Sequence, residues 1–118
     1  MTQKLARLNM TRILSDIQAE LLAENIAVNS VAPSTAISTP GSDRYIPADY
    51  PTERVEYLAE TALALCHRPA QERTGLVTYS LHFPLAHNLP VYSLDGREPL
   101  TPPEIPAYAS GLISSTGE

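Results

Sequence analysis

The stretch IAVNSVA (residues 26–32) decides the fold class. It is a short, apolar and partly β-branched run that Pro33 stops, and such a run is typical of a strand in the interior of a sheet. Residues 4–24, directly before it, carry apolar side chains mostly at steps of three and four, the spacing of one helical stripe, and Asn25 is placed to end that helix. A helix followed by a buried strand is half of an α/β unit.

A second helix and a second strand repeat this order further along the chain. Thr52 is a candidate N-cap for a helix whose buried side chains lie within residues 55–66 and which Pro69 ends. The segment LVTYSL (residues 76–81) then has the composition of a strand. The order helix, strand, loop, helix, strand predicts two parallel neighbouring strands joined by a right-handed crossover.

The remaining segments are predicted to lie outside helices and strands. Residues 34–51 form a polar loop with several breakers, and a loop of that length is often a binding loop. After residue 81, prolines interrupt every possible helix, so we expect a short extended piece over 91–94 and a Pro-rich, disordered tail over 97–118. Because two parallel strands do not make a stable sheet alone, residues 1–96 are expected to be the end portion of a larger domain.

Composition limits the function classes. Thirteen acidic and eight basic side chains give a net charge of −5, without the basic cluster of a nucleic-acid-binding protein. No apolar run approaches the roughly 20 residues that span a bilayer, and no signal peptide opens the chain, so we expect a cytoplasmic protein that binds neither membrane nor nucleic acid.

The single cysteine, Cys66, excludes internal disulfides and is expected to be a small buried residue. His82 and His87 lack nearby metal-ligand partners, so no metal site is predicted.

Four segments together resemble the carboxyl-terminal third to half of the short-chain dehydrogenase/reductase family. They are KLARLNMTRILSDIQAELLAENIAVNSVAP (4–33), STAISTPG (34–41), VEYLAETALALC (55–66) and TGLVTYS (74–80). In that family a Tyr-x-x-x-Lys pair opens the helix that Lys4 would belong to, and the next strand reads Ile-x-Val-Asn-x-x-x-Pro, as residues 26–33 do. The chain departs from the family pattern at Arg7, at Ser34, where the family has Gly, and by one extra residue in the following loop.

The resemblance implies a Rossmann-like, doubly wound parallel sheet and an NAD(P)-dependent oxidoreductase that transfers hydride between a nicotinamide and an alcohol or carbonyl substrate. It implies that Lys4, the only lysine of the chain, is catalytic and contacts the nicotinamide ribose. A lysine one helical turn after the Tyr lowers the pKa of the phenol, which is otherwise about 10. The Tyr would fall one position before Met1, and the Gly-rich turn and the catalytic Ser of the family would lie further upstream. Because the chain as given lacks these residues, it is expected to be inactive alone. Without the resemblance, Lys4 reads as a solvated lysine.

The resemblance also implies a loop that passes over the nicotinamide of NAD or NADP at the carboxyl end of a strand. The other cofactor-binding candidates lie in that loop: Pro33, Ser34, Ile37 and Thr39. The alternative is an ordinary Pro/Ser/Thr turn. The resemblance also implies a homo-oligomer through the helix 4–24. Two alternatives to an enzyme stay open: a non-catalytic remnant that acts as an interaction or dimerisation module through that helix, and a gene start set downstream of the true one.

Overall fold

The computed structural model describes residues 3–105, with side chains from residue 12 onward. Its elements in chain order are α1 (Gln3–Leu22), β1 (Ser30–Ala32), β2 (Ala36–Ser38), a single 3-10 turn (Asp43–Tyr45), β3 (Thr52–Arg54), α2 (Val55–His67), β4 (Val77–Tyr79) and α3 (His82–Ala86). The fold is mixed α/β with short parallel strands, as the sequence predicts at the level of fold class. No helix within the described residues is long and apolar enough to cross a bilayer.

The predicted parallel pairing of the two apolar strands is confirmed. Strands β1 and β4 pair in the register Ser30 with Val77 and Ala32 with Tyr79. The pairing continues at both ends, where Ser30 N–H donates to the Leu76 carbonyl (2.8 Å) and Ser80 N–H donates to the Ala32 carbonyl (3.0 Å). The carboxyl ends of both strands therefore lie at the same edge.

Asn29 fixes the start of this pair. Its amide nitrogen donates to the Arg73 carbonyl (2.9 Å), and its amide oxygen accepts the Leu76 N–H (3.0 Å). One side chain thus satisfies a donor and an acceptor on the segment that leads into β4. The register of two strands far apart in sequence is set by this bridge as well as by apolar burial.

The plain loop predicted over residues 34–51 is wrong in part. Strand β2 pairs in parallel with β3, which begins at Thr52 and runs directly into α2. Arg54, in an extended conformation and without a side-chain capping bond, holds the N-cap position of α2, so Thr52 is not the cap. Strands of three residues are too short to show the alternation by which strands are recognised in a sequence.

The expectation that prolines prevent any helix after residue 81 is also wrong. Helix α3 contains Pro84 as its third residue. A proline is tolerated there because the N–H groups of the first helical turn have no acceptor inside the helix.

The core lies between α2, α3 and the β1–β4 pair. Leu65, Leu76 and Phe83 form one buried cluster, and Phe83 is fully buried. Tyr57, Leu81 and Val91 form a second cluster, against which Leu100 and Ile105 pack. A hairpin carries Val91 and Leu100 to this cluster.

Two hydrogen bonds hold that hairpin: Leu100 N–H donates to the Val91 carbonyl (2.8 Å), and Ser93 N–H donates to the Glu98 carbonyl (2.8 Å). Its turn contains Gly96 with φ of 75° and is closed by Asp95, whose carboxylate accepts the Ser93 hydroxyl (2.6 Å) and the Arg97 N–H (3.0 Å). The tail was predicted over residues 97–118, but residues 97–100 belong to this hairpin and Ile105 packs on the same cluster. Residues 106–118 lie outside the described residues, so disorder there stays a prediction.

Helix α1 differs from its predicted apolar stripe. Among its described side chains, those from residue 12 onward, Leu14 is buried, whereas Ile13 and Ile17 are 51% and 40% exposed. The stripe positions before residue 12 have side chains outside the described part. Asn25, with φ of 60°, follows the helix, and the turn is closed by Ile26 N–H donating to the Leu21 carbonyl (3.1 Å), so Asn25 ends the helix as predicted.

Candidate functional site

Polar side chains are buried together at the carboxyl edge of the β1–β4 pair. We call this group the strand-end cluster, and it consists of Ser34, Thr35, Glu53, Ser80 and His82. Ser34, Glu53, Ser80 and His82 are at most 5% exposed. The carboxyl edge of parallel strands is where open α/β sheets bind ligands. This location makes the cluster the first candidate for a functional site.

Ser34 and its neighbours join the ends of the two strands. Ser34 follows β1, and its N–H donates to Ser80 Oγ (3.0 Å). Its own Oγ accepts the Leu81 N–H (3.0 Å) and lies 2.9 Å from His82 Nδ1. Ser34 Oγ can accept a second hydrogen bond or donate its own proton, so the His82 tautomer decides which of the two atoms is the donor.

Glu53 is the charged centre of the strand-end cluster. One carboxylate oxygen accepts both the Thr35 N–H (2.7 Å) and the Thr35 hydroxyl (3.0 Å), and the other accepts the Ser80 hydroxyl. A buried carboxylate without such donors would be strongly destabilising, and three donors compensate for its loss of water. Glu53 thereby ties β3 to the ends of both β1 and β4.

The strand-end cluster has the parts of a nucleophile and base but not the access that catalysis needs. Ser34 and His82 lie at hydrogen-bonding distance, as a serine and its general base do in acyl transfer. Ser34, however, is only 2% exposed and Ser80 is fully buried, so no substrate carbonyl can reach the hydroxyls. The arrangement is suited to hold the segment after β1 in one conformation.

The structure separates the residues predicted to bind a cofactor. Pro33 is exposed and Ser34 is buried in the strand-end cluster. Ile37 lies in β2 and is half-buried. Thr39 lies in the turn after β2, where its hydroxyl is 2.9 Å from Ser42 Oγ and accepts the Ser42 N–H (3.1 Å). Lys4 belongs to α1, and its side chain lies outside the described part, so its role stays a prediction.

Sequence reasoning missed Glu53, Ser80 and the contact of His82 with Ser34. In the sequence Glu53 follows the candidate cap Thr52, near the positive end of a predicted helix, but the β2–β3 pairing buries it. Ser34 and His82 are 48 residues apart and meet only because β1 pairs with β4. The usable signal is the pair of polar residues after each apolar strand, Ser34 and Thr35 after the first and Ser80 and His82 after the second.

The start of α2 carries an ion pair. Arg54 donates to Glu56 (2.7 Å), with side chains 60% and 5% exposed. Burial acts to raise the pKa of Glu56, but the hydrogen bond and charge of Arg54, together with backbone N–H donors, hold that pKa below its usual range. Glu56 also lies in the first turn of its helix, where a negative charge is favoured.

A shallow groove of about 690 Å³ lies at the opposite, amino end of β1. Residues 25–29 and the last turns of α2 line it, including Cys66, which is exposed and not buried as predicted. Within the described residues no group of three or more His, Cys, Asp or Glu side chains is arranged to hold a metal ion. The lining of the groove shares no residue with the strand-end cluster, and Arg68 is its one charged side chain.

Comparison with known proteins gives no further assignment: no protein-family model, no curated protein and no solved structure matches this chain.

Proposed function

We propose that this chain is the carboxyl-terminal portion of a cytoplasmic short-chain dehydrogenase/reductase domain with a Rossmann-like sheet. In the complete domain, NAD or NADP exchanges a hydride with a small alcohol or carbonyl substrate. The observation that carries the proposal is the in-register parallel pairing of β1 with β4, with Pro33 and Ser34 at the carboxyl edge. A domain of this family requires these two strands to be neighbours.

Lys4 is the residue to which the proposal assigns chemistry. It lies on the first turn of α1, so a Tyr four residues before it would lie on the same helical face. The ammonium group would stabilise the phenolate of that Tyr and bind the nicotinamide ribose. Lys4 and that Tyr would together hold and move the proton at the substrate oxygen, and a bound nicotinamide would supply the hydride chemistry.

The loop residues fit direct contact with a nicotinamide poorly. The hydroxyl of Ser34 is engaged with Leu81 and His82, and the hydroxyl of Thr39 is engaged with Ser42. In this arrangement neither hydroxyl is oriented toward a ligand. We therefore assign residues 33–39 an indirect role, in which their backbone and the exposed Pro33 ring shape the carboxyl edge of the β1–β4 pair.

A chimera tests the proposal. The amino-terminal portion of a soluble short-chain dehydrogenase, up to and including its Tyr, is joined to Met1, and reduction of a panel of aldehydes and ketones is followed by NADH and NADPH absorbance. We expect turnover that Lys4→Met lowers at least about 100-fold, because the phenol then keeps its high pKa. Arg12→Met, which removes an exposed cation from the same helix, is the control and should leave turnover unchanged.

The proposal is refuted if a folded chimera binds cofactor and its turnover is the same with and without Lys4. The genomic reading frame directly upstream of Met1 gives a second check, since the proposal expects a Tyr codon there and a Gly-rich segment further upstream. An in-frame stop codon close before Met1 would contradict it.

A second candidate function rests on the exposed face of α1. Ile13 and Ile17, one helical turn apart, are both largely accessible, and together they make an apolar stripe that fits an interaction module. We propose association with a second copy of this chain through α1. Ile17→Glu should convert a dimer to a monomer in sedimentation equilibrium, whereas Ala19→Glu, at an exposed position of the same helix, should not. A monomeric parent chain would refute this second candidate.

A further inference from the structure

A pocket with charged and apolar walls lies beside the last turns of α2. It measures about 230 Å³. Helix α2 contributes a stripe of side chains at helical spacing: Glu60, Leu63, Ala64 and His67. The other walls come from Arg68, Arg73 and Leu89. This space shares no residue with the strand-end cluster, and we call it the α2 pocket.

Arg73 is held in one position in the α2 pocket. Its Nη1 donates to the Ala64 carbonyl (2.6 Å), which is one of the last four carbonyl groups of α2 and so receives no N–H from the helix itself. The guanidinium carbon lies 5.1 Å from the centre of the Phe83 ring. A guanidinium has five N–H donors, so most of them stay available for a ligand whose position they can define.

The charged groups of the α2 pocket do not neutralise one another. The ion pairs of the described residues are Arg54–Glu56 and Arg68–Glu72, so neither Glu60 nor the half-buried Arg73 takes part in one. The Arg68–Glu72 pair spans 3.5 Å between two side chains that are more than half exposed, and a surface pair of this kind contributes little. Two guanidinium groups and one carboxylate can therefore pair with charges on a ligand.

The opposite charges lie near each other and beside an apolar wall. Glu60 and Ala64 are one helical turn apart, and Arg73 bonds the Ala64 carbonyl, so the acidic residue and the guanidinium are separated by about one turn of α2. Leu63 is 60% exposed and Leu89 is half-buried, so both offer apolar surface. This arrangement fits a small zwitterion that carries an apolar group.

We propose that the α2 pocket binds a free α-amino acid with an aliphatic side chain of leucine size. Its carboxylate accepts hydrogen bonds from Arg73 and Arg68, its ammonium group donates to Glu60, and its side chain contacts Leu63 and Leu89. The size agrees, because the pocket is about one and a half times as large as a cavity of about 150 Å³ that holds benzene, and leucine has one and a half times as many heavy atoms as benzene. The proposal uses none of the hydride-transfer residues and stands without them.

NMR titration of the ¹⁵N-labelled chain, without cofactor, tests this proposal. We expect L-leucine to bind saturably, with the largest shift changes at the backbone amides of Leu63, Ala64 and Arg73. Two probes each lack one charge, since 4-methylpentanoate has no ammonium group and 3-methylbutylamine has no carboxylate. Both should bind at least about fivefold more weakly than L-leucine, because each loses one set of charge-assisted hydrogen bonds.

Glu60→Gln separates the two ends of the ligand. It should weaken the binding of L-leucine about five- to tenfold and leave 4-methylpentanoate unchanged or tighter, because only the amino acid has an ammonium group. Glu98→Gln makes the same chemical change at an exposed position outside the pocket and should alter neither affinity.

Arg68→Gln tests the carboxylate end and covers the case in which Arg73→Gln fails to fold. Arg68 is 53% exposed, so its replacement should be tolerated, and L-leucine and 4-methylpentanoate should both bind at least about threefold more weakly. The proposal is overturned if L-leucine shows no saturable binding to the parent chain, or if either single-charge probe binds as tightly. It is equally overturned if Glu60→Gln and Glu98→Gln change the affinity for L-leucine to the same extent, or if Arg68→Gln leaves both affinities unchanged.

Discussion

Replacement of Glu53 by alanine should be among the most destabilising single changes in this chain. The carboxylate accepts hydrogen bonds from the Thr35 N–H, the Thr35 hydroxyl and the Ser80 hydroxyl. Glu53→Ala leaves all three donors without that acceptor. Ser80 is fully buried and has the poorer access to water, whereas Thr35 is half-buried and can bind water after a small movement.

The magnitude follows from this difference in access. An unsatisfied buried donor costs about 1–3 kcal/mol, so we assign the upper part of that range to Ser80 and the lower part to each Thr35 donor. The free energy of unfolding should fall by about 4 kcal/mol. Small domains have a free energy of unfolding of about 5–15 kcal/mol, so the variant would lose a large share of its stability.

Urea denaturation followed by circular dichroism measures this loss, and two variants serve as controls. Glu53→Gln keeps an oxygen for Thr35 and removes the acceptor only for Ser80, so it should cost about 2 kcal/mol. Glu72→Ala removes a carboxylate that is 52% exposed and paired with Arg68 at 3.5 Å, and should cost at most about 0.5 kcal/mol. The amide of Thr35 should lose protection from hydrogen exchange only in Glu53→Ala, because Glu53→Gln keeps the oxygen that accepts it. Equal stability loss for Glu53→Ala and Glu72→Ala would refute the reasoning.

Three further predictions concern pH, strand register and cofactor. The lowered pKa of Glu56 adds stability that is present above its unfolded pKa of about 4.5 and is lost as pH falls through the folded pKa. The urea midpoint should therefore drop less from pH 5 to pH 3 in Glu56→Gln than in the parent chain. An equal drop in both proteins would contradict this. Asn29→Ala should lower the free energy of unfolding by about 1–3 kcal/mol in urea denaturation, whereas Gln71→Ala, at an exposed position, should lower it by almost nothing. An Asn29→Ala variant as stable as the parent would show that the Asn29 hydrogen bonds are dispensable. The purified chain should give no saturable enhancement of NADH or NADPH fluorescence, and saturation would contradict its predicted inactivity alone.

The central strand pair could be predicted because its signal is local and long enough to recognise. Residues 26–32 and 76–81 are apolar runs of six or seven residues, each preceded by a helical pattern, and parallel pairing follows from the order of elements. Asn25 was recognisable as a helix end for the same reason, since its tolerance of positive φ is a property of the residue itself.

The β2–β3 pair and the strand-end cluster could not be predicted in this way. Three-residue strands carry no periodic signal, and the burial of Glu53 depends on which strand lies beside it. Ile13 and Leu14 show the same limit inside a helix, because neighbouring apolar residues fit one stripe almost equally well and the tertiary packing decides which is buried. The burial of Tyr57, whose hydroxyl has no hydrogen-bond partner among the described residues, is likewise not visible in the sequence.

The long separation between the two central strands has a consequence for synthesis on the ribosome. Thr78 bonds to the Ser30 carbonyl across 48 residues, so β1 is made well before its partner strand exists. At about 5–20 residues per second, the apolar run that contains β1 waits about 2–10 seconds with its hydrogen-bonding groups open. During this interval it is a candidate for capture by chaperones or by a neighbouring nascent chain. Synonymous codons that slow translation between residues 32 and 77 should therefore lower the soluble yield without any change to the protein itself.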